Sequence, residues 1–108
     1  MDVQLKRGLL EVCVLAVLLR EDSYGYKIIK DVSSCIAISE STLYPILKRL
    51  EVAEMLTVYS VEHNSRLRKY YKITQKGIDK ILEFKNEWSE IISVYEFISI
   101  ESGGLKND

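Results

Sequence analysis

The apolar positions change period along the chain, and each change marks an element. From Val3 to Arg20, Leu5, Leu9, Leu10, Val12, Cys13, Leu15, Ala16, Val17, Leu18 and Leu19 leave few polar positions, so the spacing predicts a helix that is apolar around most of its circumference. A chain this small cannot cover such a helix alone, and part of it is expected to face a second subunit. Glu21-Asp22-Ser23 should end the helix, with Ser23 free to cap a shorter one over Tyr24–Ser33. The inner face of that second helix is read as Tyr26, Ile29 and either Val32 or Ile28. A connection carrying Ile36 and Ile38 leads to Ser39–Leu50, where Leu43, Ile46, Leu47 and Leu50 recur at helical spacing. Ser41, Thr42, Tyr44, Lys48 and Arg49 are left outside. Pro45 requires a helix start near Ser39 to Ser41, because a proline deep in a helix loses a hydrogen bond and clashes with the turn before it.

Beyond Leu50 the period falls from 3.6 to 2. Met55–Glu62 and Leu67–Thr74 read as two strands joined by the turn residues His63-Asn64-Ser65-Arg66. In the second strand Leu67, Lys69, Tyr71 and Ile73 share one face, and Arg68, Tyr70 and Lys72 the other. The helical period then returns. Ile78, Ile81, Leu82, Trp88, Ile91, Ile92, Tyr95 and Ile98 form a stripe widened by Phe84, Val94 and Phe97, with Thr74 as the expected cap. A helix of roughly 25 residues reaches close to 40 Å, longer than one small domain covers, so it should pack on another copy.

The predicted fold is therefore mainly α with a small β-hairpin: helix, helix, connection, helix, hairpin, long helix. Residues 24–52 have the spacing of a helix-turn-helix, and the hairpin takes the place of a wing. Residues 1–75 are assigned to the winged helix-turn-helix, 76–100 to a C-terminal dimerisation helix and 101–108 to a flexible tail.

Charge sharpens this picture. The 108 residues carry a net charge of −1, so affinity for nucleic acid would have to come from a local patch. Residues 40–76 hold seven basic and four acidic side chains, whereas residues 77–108 hold three and seven. Arg66, Arg68, Lys69 and Lys72 make the stretch His63–Lys72 wholly free of acid. Such a run is often just a solvated face. Placed after a helix-turn-helix, it becomes a basic wing suited to lie along phosphates.

Other chemistries find little support. Cys13 and Cys35 lack metal-ligand spacing and read as reduced, buried thiols of a cytoplasmic protein. His63 is the only histidine, and no glycine-rich phosphate loop is present, so neither an enzyme nor a cofactor is implied. Lys6-Arg7 before the apolar run imitates a signal peptide, but Glu11 interrupts the run and it is too short to span a bilayer.

The segments Leu9-Leu10, Tyr24-Gly25-Tyr26 with Ile28, Ile29 and Lys30, Ser41-Thr42-Leu43-Tyr44-Pro45-Ile46-Leu47-Lys48-Arg49-Leu50-Glu51, Arg68-Lys69-Tyr70-Tyr71-Lys72-Ile73-Thr74 and Gly77 follow one another as in the short class of PadR-type transcriptional regulators. The sequence resembles that family from about residue 5 to 98. The resemblance implies a winged helix-turn-helix, a homodimer formed through the first and last helices, and repression by binding a palindromic DNA operator. It also implies release by a small hydrophobic or phenolic effector. Trp88 falls where multidrug-responsive members stack flat ligands, with Tyr95 nearby, although an aromatic at that position more often serves as an interface anchor. One departure stands out: Glu54 occupies the place of a usual glycine three residues after Glu51, where the backbone turns left-handed.

The residues expected at DNA are Tyr24, Ser41, Thr42, Tyr44, Lys48, Arg49, Asn64, Arg66, Arg68 and Lys69. For Tyr24 a half-buried ring packed on the first helix is an equal reading. The rival for the whole protein is a dimeric winged-helix interaction module without DNA binding, favoured by the acidic pI and by Glu40 beside the proposed phosphate contacts.

Overall fold

The computed structural model describes residues 1–106. In order, the elements are α1 (Val3–Leu18), α2 (Gly25–Ser33), α3 (Glu40–Val52), β1 (Leu56–His63), β2 (Arg66–Ile73) and α4 (Gln75–Ser102). Their type and sequence match the reading above.

The core forms where three amphipathic faces meet the base of the hairpin. Leu10, Val14, Leu15 and Leu18 of α1 close on Ile28 and Val32 of α2, on Leu43, Ile46, Leu47 and Leu50 of α3, and on Leu56 and Tyr71 of the strands. The expected stripe of α3 is thus buried in full. In α2 the inward set is Gly25, Ile28 and Val32. Tyr26, expected inside, is 72% exposed, because Ile28 and Val32 set the buried stripe and Tyr26, two residues from Ile28, lies about 200° from it around the helix.

Ser23 does not cap α2. Its backbone pairs with Tyr71, N–H to carbonyl in both directions at 3.2 and 2.7 Å, so it acts as a third, one-residue strand beside β2. Tyr24 takes the N-cap position without a side-chain hydrogen bond. Cys35 is exposed rather than buried and Cys13 is half-buried. Burial, followed by the neighbouring Cys35 thiol, pushes the Cys13 thiol above its ordinary range.

β1 and β2 pair antiparallel from Leu56↔Ile73 to His63↔Arg66. The two turn residues Asn64 and Ser65 have φ of 50° and 63°, the positive pair that a two-residue hairpin requires to match strand twist. The last helix runs two residues further than expected: Glu101 and Ser102 are still in α4, and Gly103 caps it with φ 51°. The expected flexible tail is only partly testable, since Asn107 and Asp108 lie outside the described residues.

α3 leaves through Glu54, whose φ is 62°. The left-handed exit is kept although glycine is absent. Thr74 then ties this exit to the long helix: its hydroxyl donates to the Glu54 carbonyl at 2.7 Å, its N–H donates to the Met55 carbonyl at 3.1 Å, and its Oγ1 accepts from Gly77 N–H at 3.2 Å. Gly77 packs so closely on Met55 O and Ile73 that a Cβ there has no room.

A left-handed residue with a side chain costs on the order of 1 kcal/mol. Glu54→Gly should therefore raise the urea midpoint of unfolding by the equivalent of up to about 1 kcal/mol, the larger entropy of unfolded glycine offsetting part of the gain. Glu54→Ala, which removes the charge and keeps the Cβ, should give little gain.

Candidate nucleic-acid interface

At 3.6 residues per turn, burial of Leu43, Ile46, Leu47 and Leu50 sets the direction of every other side chain of α3. Ser41, Pro45, Lys48 and Val52 lie diametrically outward, and all four are exposed. Thr42 and Arg49 form the edge nearest α1, and Tyr44 and Glu51 the edge nearest the hairpin. Pro45 is the sixth residue of the helix, which frees the Ser41 carbonyl from its usual helical donor. The Ser39 side chain, at the N-cap, makes no capping bond to the backbone. Its hydroxyl instead meets those of Ser41 at 3.0 Å and Thr42 at 3.2 Å. The Thr42 and Leu43 N–H groups donate to the Ser39 carbonyl, which leaves those of Glu40 and Ser41 open beside three hydroxyls, an arrangement that suits an anion.

The predicted outward cations divide. Lys48 stands clear of the body and is only loosely matched by Glu51, at 3.8 Å on the same helix. Arg49 is turned back: its Nε donates to Glu11 of α1 at 3.1 Å. Its expected place on the reading face is thus corrected, since a half-buried carboxylate within reach competes with solvent for the guanidinium. Tyr44 is half exposed and spans a gap. Its hydroxyl lies against Gly25, where a Cβ would collide with it, and its ring borders Lys48, Val58, Lys69 and Tyr71. This explains the glycine of Tyr24-Gly25-Tyr26, which the sequence alone did not.

The hairpin is braced by a ladder of tyrosines. Because Ser23 pairs with Tyr71 and Tyr59 with Tyr70, Tyr24, Tyr70 and Tyr59 stand side by side on the outer face of three strands. Tyr59 stacks on Tyr70 at 5.7 Å between centroids, and Tyr24 meets Tyr70 edge-on at 5.5 Å. The Arg68 guanidinium lies over the Tyr24 ring at 4.0 Å and donates to the Tyr70 hydroxyl at 3.4 Å. Such a cation on an aromatic face contributes roughly 0.5–1 kcal/mol at exposed sites. Tyr24 therefore packs on the wing. Arg68 is held rather than swinging free.

Asn64, Arg66 and Lys69 are exposed, at the turn and on the strand after it. Lys69 leaves β2 on the opposite face from Arg68, yet both border one groove, shared with Tyr24, Gly25, Tyr26, Tyr44 and Leu67. Of the predicted DNA set, Tyr24, Tyr44, Arg68 and Lys69 thus converge around one groove between α2, α3 and the wing. Ser41, Thr42 and Lys48 line α3 beside it. The pair predicted for an effector, Trp88 and Tyr95, is not brought together: Trp88 is half-buried against Phe84 and α1, while Tyr95 is exposed two turns further along α4.

Sequence reasoning missed the far end of the ladder. Asp22 accepts from the Tyr59 hydroxyl at 2.6 Å, which fastens β1 to the loop before α2. That bond, with partial burial and the Asp22 charge, pushes the Tyr59 phenol up to about 12. The period-2 placement of Tyr59 and Tyr70 was a readable signal, but their register and the approach of Asp22 required the third strand.

A helix with outward hydroxyls and a lysine, flanked by a braced basic hairpin, defines a winged helix-turn-helix of the kind that reads duplex DNA. A family model described as the transcriptional regulator PadR-like family matches residues 14–83, and the chain belongs to this family. It is a DNA-binding transcriptional regulator, not an enzyme. An uncharacterised protein X of Lysinibacillus sphaericus is 35% identical over 105 residues, covering 93% of this chain and 94% of that protein. A transcriptional regulator from Clostridium thermocellum is 30% identical with a TM-score of 0.80, over 92% of this chain and 98% of the other. A PadR family transcription regulator from Clostridium difficile R20291 is 31% identical with a TM-score of 0.76, over 83% and 98%. Among the described residues no helix is long and apolar enough to cross a membrane.

The Asp22–Tyr59 bond has a measurable signature. A phenol held above its ordinary pKa of 10 contributes stability that is fully present below pH 10 and is lost as the pH rises toward 12. In an ultraviolet titration one tyrosine should ionise near pH 12, and Asp22→Asn should move it down toward the ordinary tyrosine range.

Proposed function

We propose that the protein is a repressor that binds a palindromic operator as a homodimer and is released by a small hydrophobic or aromatic ligand. The observation that carries the dimer is the outer half of α4. From Ser89 to Glu101 every residue is exposed, yet Ile91, Ile92, Val94, Tyr95, Phe97, Ile98 and Ile100 are among them. A helix with an apolar stripe of this length requires a partner, and a second copy supplies the same stripe. The half-covered α1, with Leu5, Leu9 and Cys13 incompletely buried, adds to that surface, so the first and last helices form the interface.

In this reading residues 1–75 bind DNA, 76–100 dimerise and the residues after them serve as a tail. α3 enters the major groove with Ser41, Thr42 and Lys48 toward phosphates and base edges. Tyr44 and Tyr24 line the path of one backbone. Arg66, Arg68 and Lys69 follow it along the wing, with Asn64 at the tip entering the adjacent minor groove. Arg49 acts indirectly, by fixing α3 to α1. A flat ligand beside Trp88, in the groove between α1 and α4, changes the dimer geometry and with it the fit to both half-sites.

Two results test this. Arg68→Ala with Lys69→Ala should weaken binding about equally on all sequences and lower the slope of log K against log salt by roughly 1 to 2 units. An unchanged slope removes the wing from the interface. Ile98→Glu on α4 should turn the dimer into a monomer in sedimentation velocity and abolish the operator shift, while far-ultraviolet circular dichroism stays helical. A dimer that survives this change would mean that α4 does not form the interface.

A further inference from the structure

Lys6 and Arg7 belong to none of the contacts above. They sit near the start of α1 and line, with Thr42, Pro45 and Arg49 of α3, a groove of about 470 Å³. This groove follows the α1 edge of the recognition helix, whereas the wing cations lie beyond its other edge, where Tyr44 and Lys69 meet. The two basic groups thus flank α3 on opposite sides. Lys6 and Arg7 are exposed and form no ion pair among the described residues. The two acids nearby are otherwise engaged: Asp2 accepts from Leu5 N–H at 3.0 Å as the cap of α1, and Glu11 holds Arg49.

A helix in the B-DNA major groove, about 12 Å wide, has a phosphate backbone on each side. The wing serves one of them. We propose that Lys6 and Arg7 form a second phosphate-binding site for the strand across the groove, so that each recognition helix is clamped between both backbones. This rests on the DNA-binding reading and adds to it a site on α1, outside the helix-turn-helix and the wing. The ligand is the phosphodiester backbone of duplex DNA, bound without regard to sequence.

The Arg49–Glu11 bond gives the site its geometry. It fixes the α1 edge of α3 beside the cations, and it occupies the one carboxylate that would otherwise draw Arg7 away.

The test is fluorescence anisotropy of the full chain with a mixed-sequence duplex of about three helical turns, titrated with salt. Lys6→Ala with Arg7→Ala should lower the slope of log K against log salt by roughly 1 to 2 units, since each phosphate contact contributes about 0.9. At moderate salt the affinity should fall roughly tenfold or more, equally on an operator and on mixed sequence. The swap Lys6→Arg with Arg7→Lys, which keeps both charges, should retain the wild-type slope. A wild-type slope in the alanine variant, alongside a reduced slope in the Arg68→Ala, Lys69→Ala variant, overturns the α1 site and leaves the wing in place. No salt-dependent binding by the wild-type chain overturns the DNA-binding reading itself.

Discussion

The arrangement depends on one short crossing of the chain, where the exit of the recognition helix meets the start of the long helix. The left-handed turn at Glu54 presents two successive carbonyls, of Glu54 and Met55, and Thr74 satisfies both while capping α4. Recognition helix, hairpin base and α4 therefore leave one point in fixed directions. Two backbone carbonyls that would be costly to bury unpaired are paired here by a single residue. The close seat of Gly77 on Met55 leaves little slack between them.

From that crossing the rest of the reader follows by side-chain anchorage. Arg49 binds Glu11 and fixes one edge of α3 to α1; Tyr44 rests on Gly25 and fixes the other edge to α2 and the wing. The wing is fixed in turn by Tyr24, Tyr70 and Tyr59, which end on Asp22. Each contact is modest, since all of them are partly exposed and screened by water. Together they fix α3 and the wing and hold Arg68 before DNA arrives, which lowers the cost of ordering that part of the surface on binding.

Element type and order were legible because they rest on local periodicity: the α3 stripe, the period-2 strands and the Thr74 cap are all where the pattern put them. What the pattern could not carry was any contact set by distant partners. Ser23 looked like a helix cap and became a strand, because Tyr71, far along the chain, offered a backbone to pair with. Tyr26 looked like core and lies outside, because α2 offers two apolar stripes and the packing on α1 and α3 selects the one through Ile28 and Val32, about 200° away from Tyr26. Arg49 has the spacing of an outward residue, and only the approach of Glu11 turns it aside. Glycine at position 25 was visible as part of a motif, but its reason, the hydroxyl of Tyr44, is tertiary.

The fixed crossing matters because, in the proposed dimer, α4 carries the frame to a second copy. If two α4 stripes pair, the rigidity at Glu54 and Thr74 passes the dimer axis on to both recognition helices, and their separation is set by the protein before any DNA is present. Pulsed electron spin resonance between labels at Val52→Cys, in a background with Cys13→Ala and Cys35→Ser, measures this separation directly. The account predicts one narrow distance consistent with recognition helices about 34 Å apart, one turn of the duplex. A broad distribution, a spacing far from one turn, or no dipolar signal at all would contradict it.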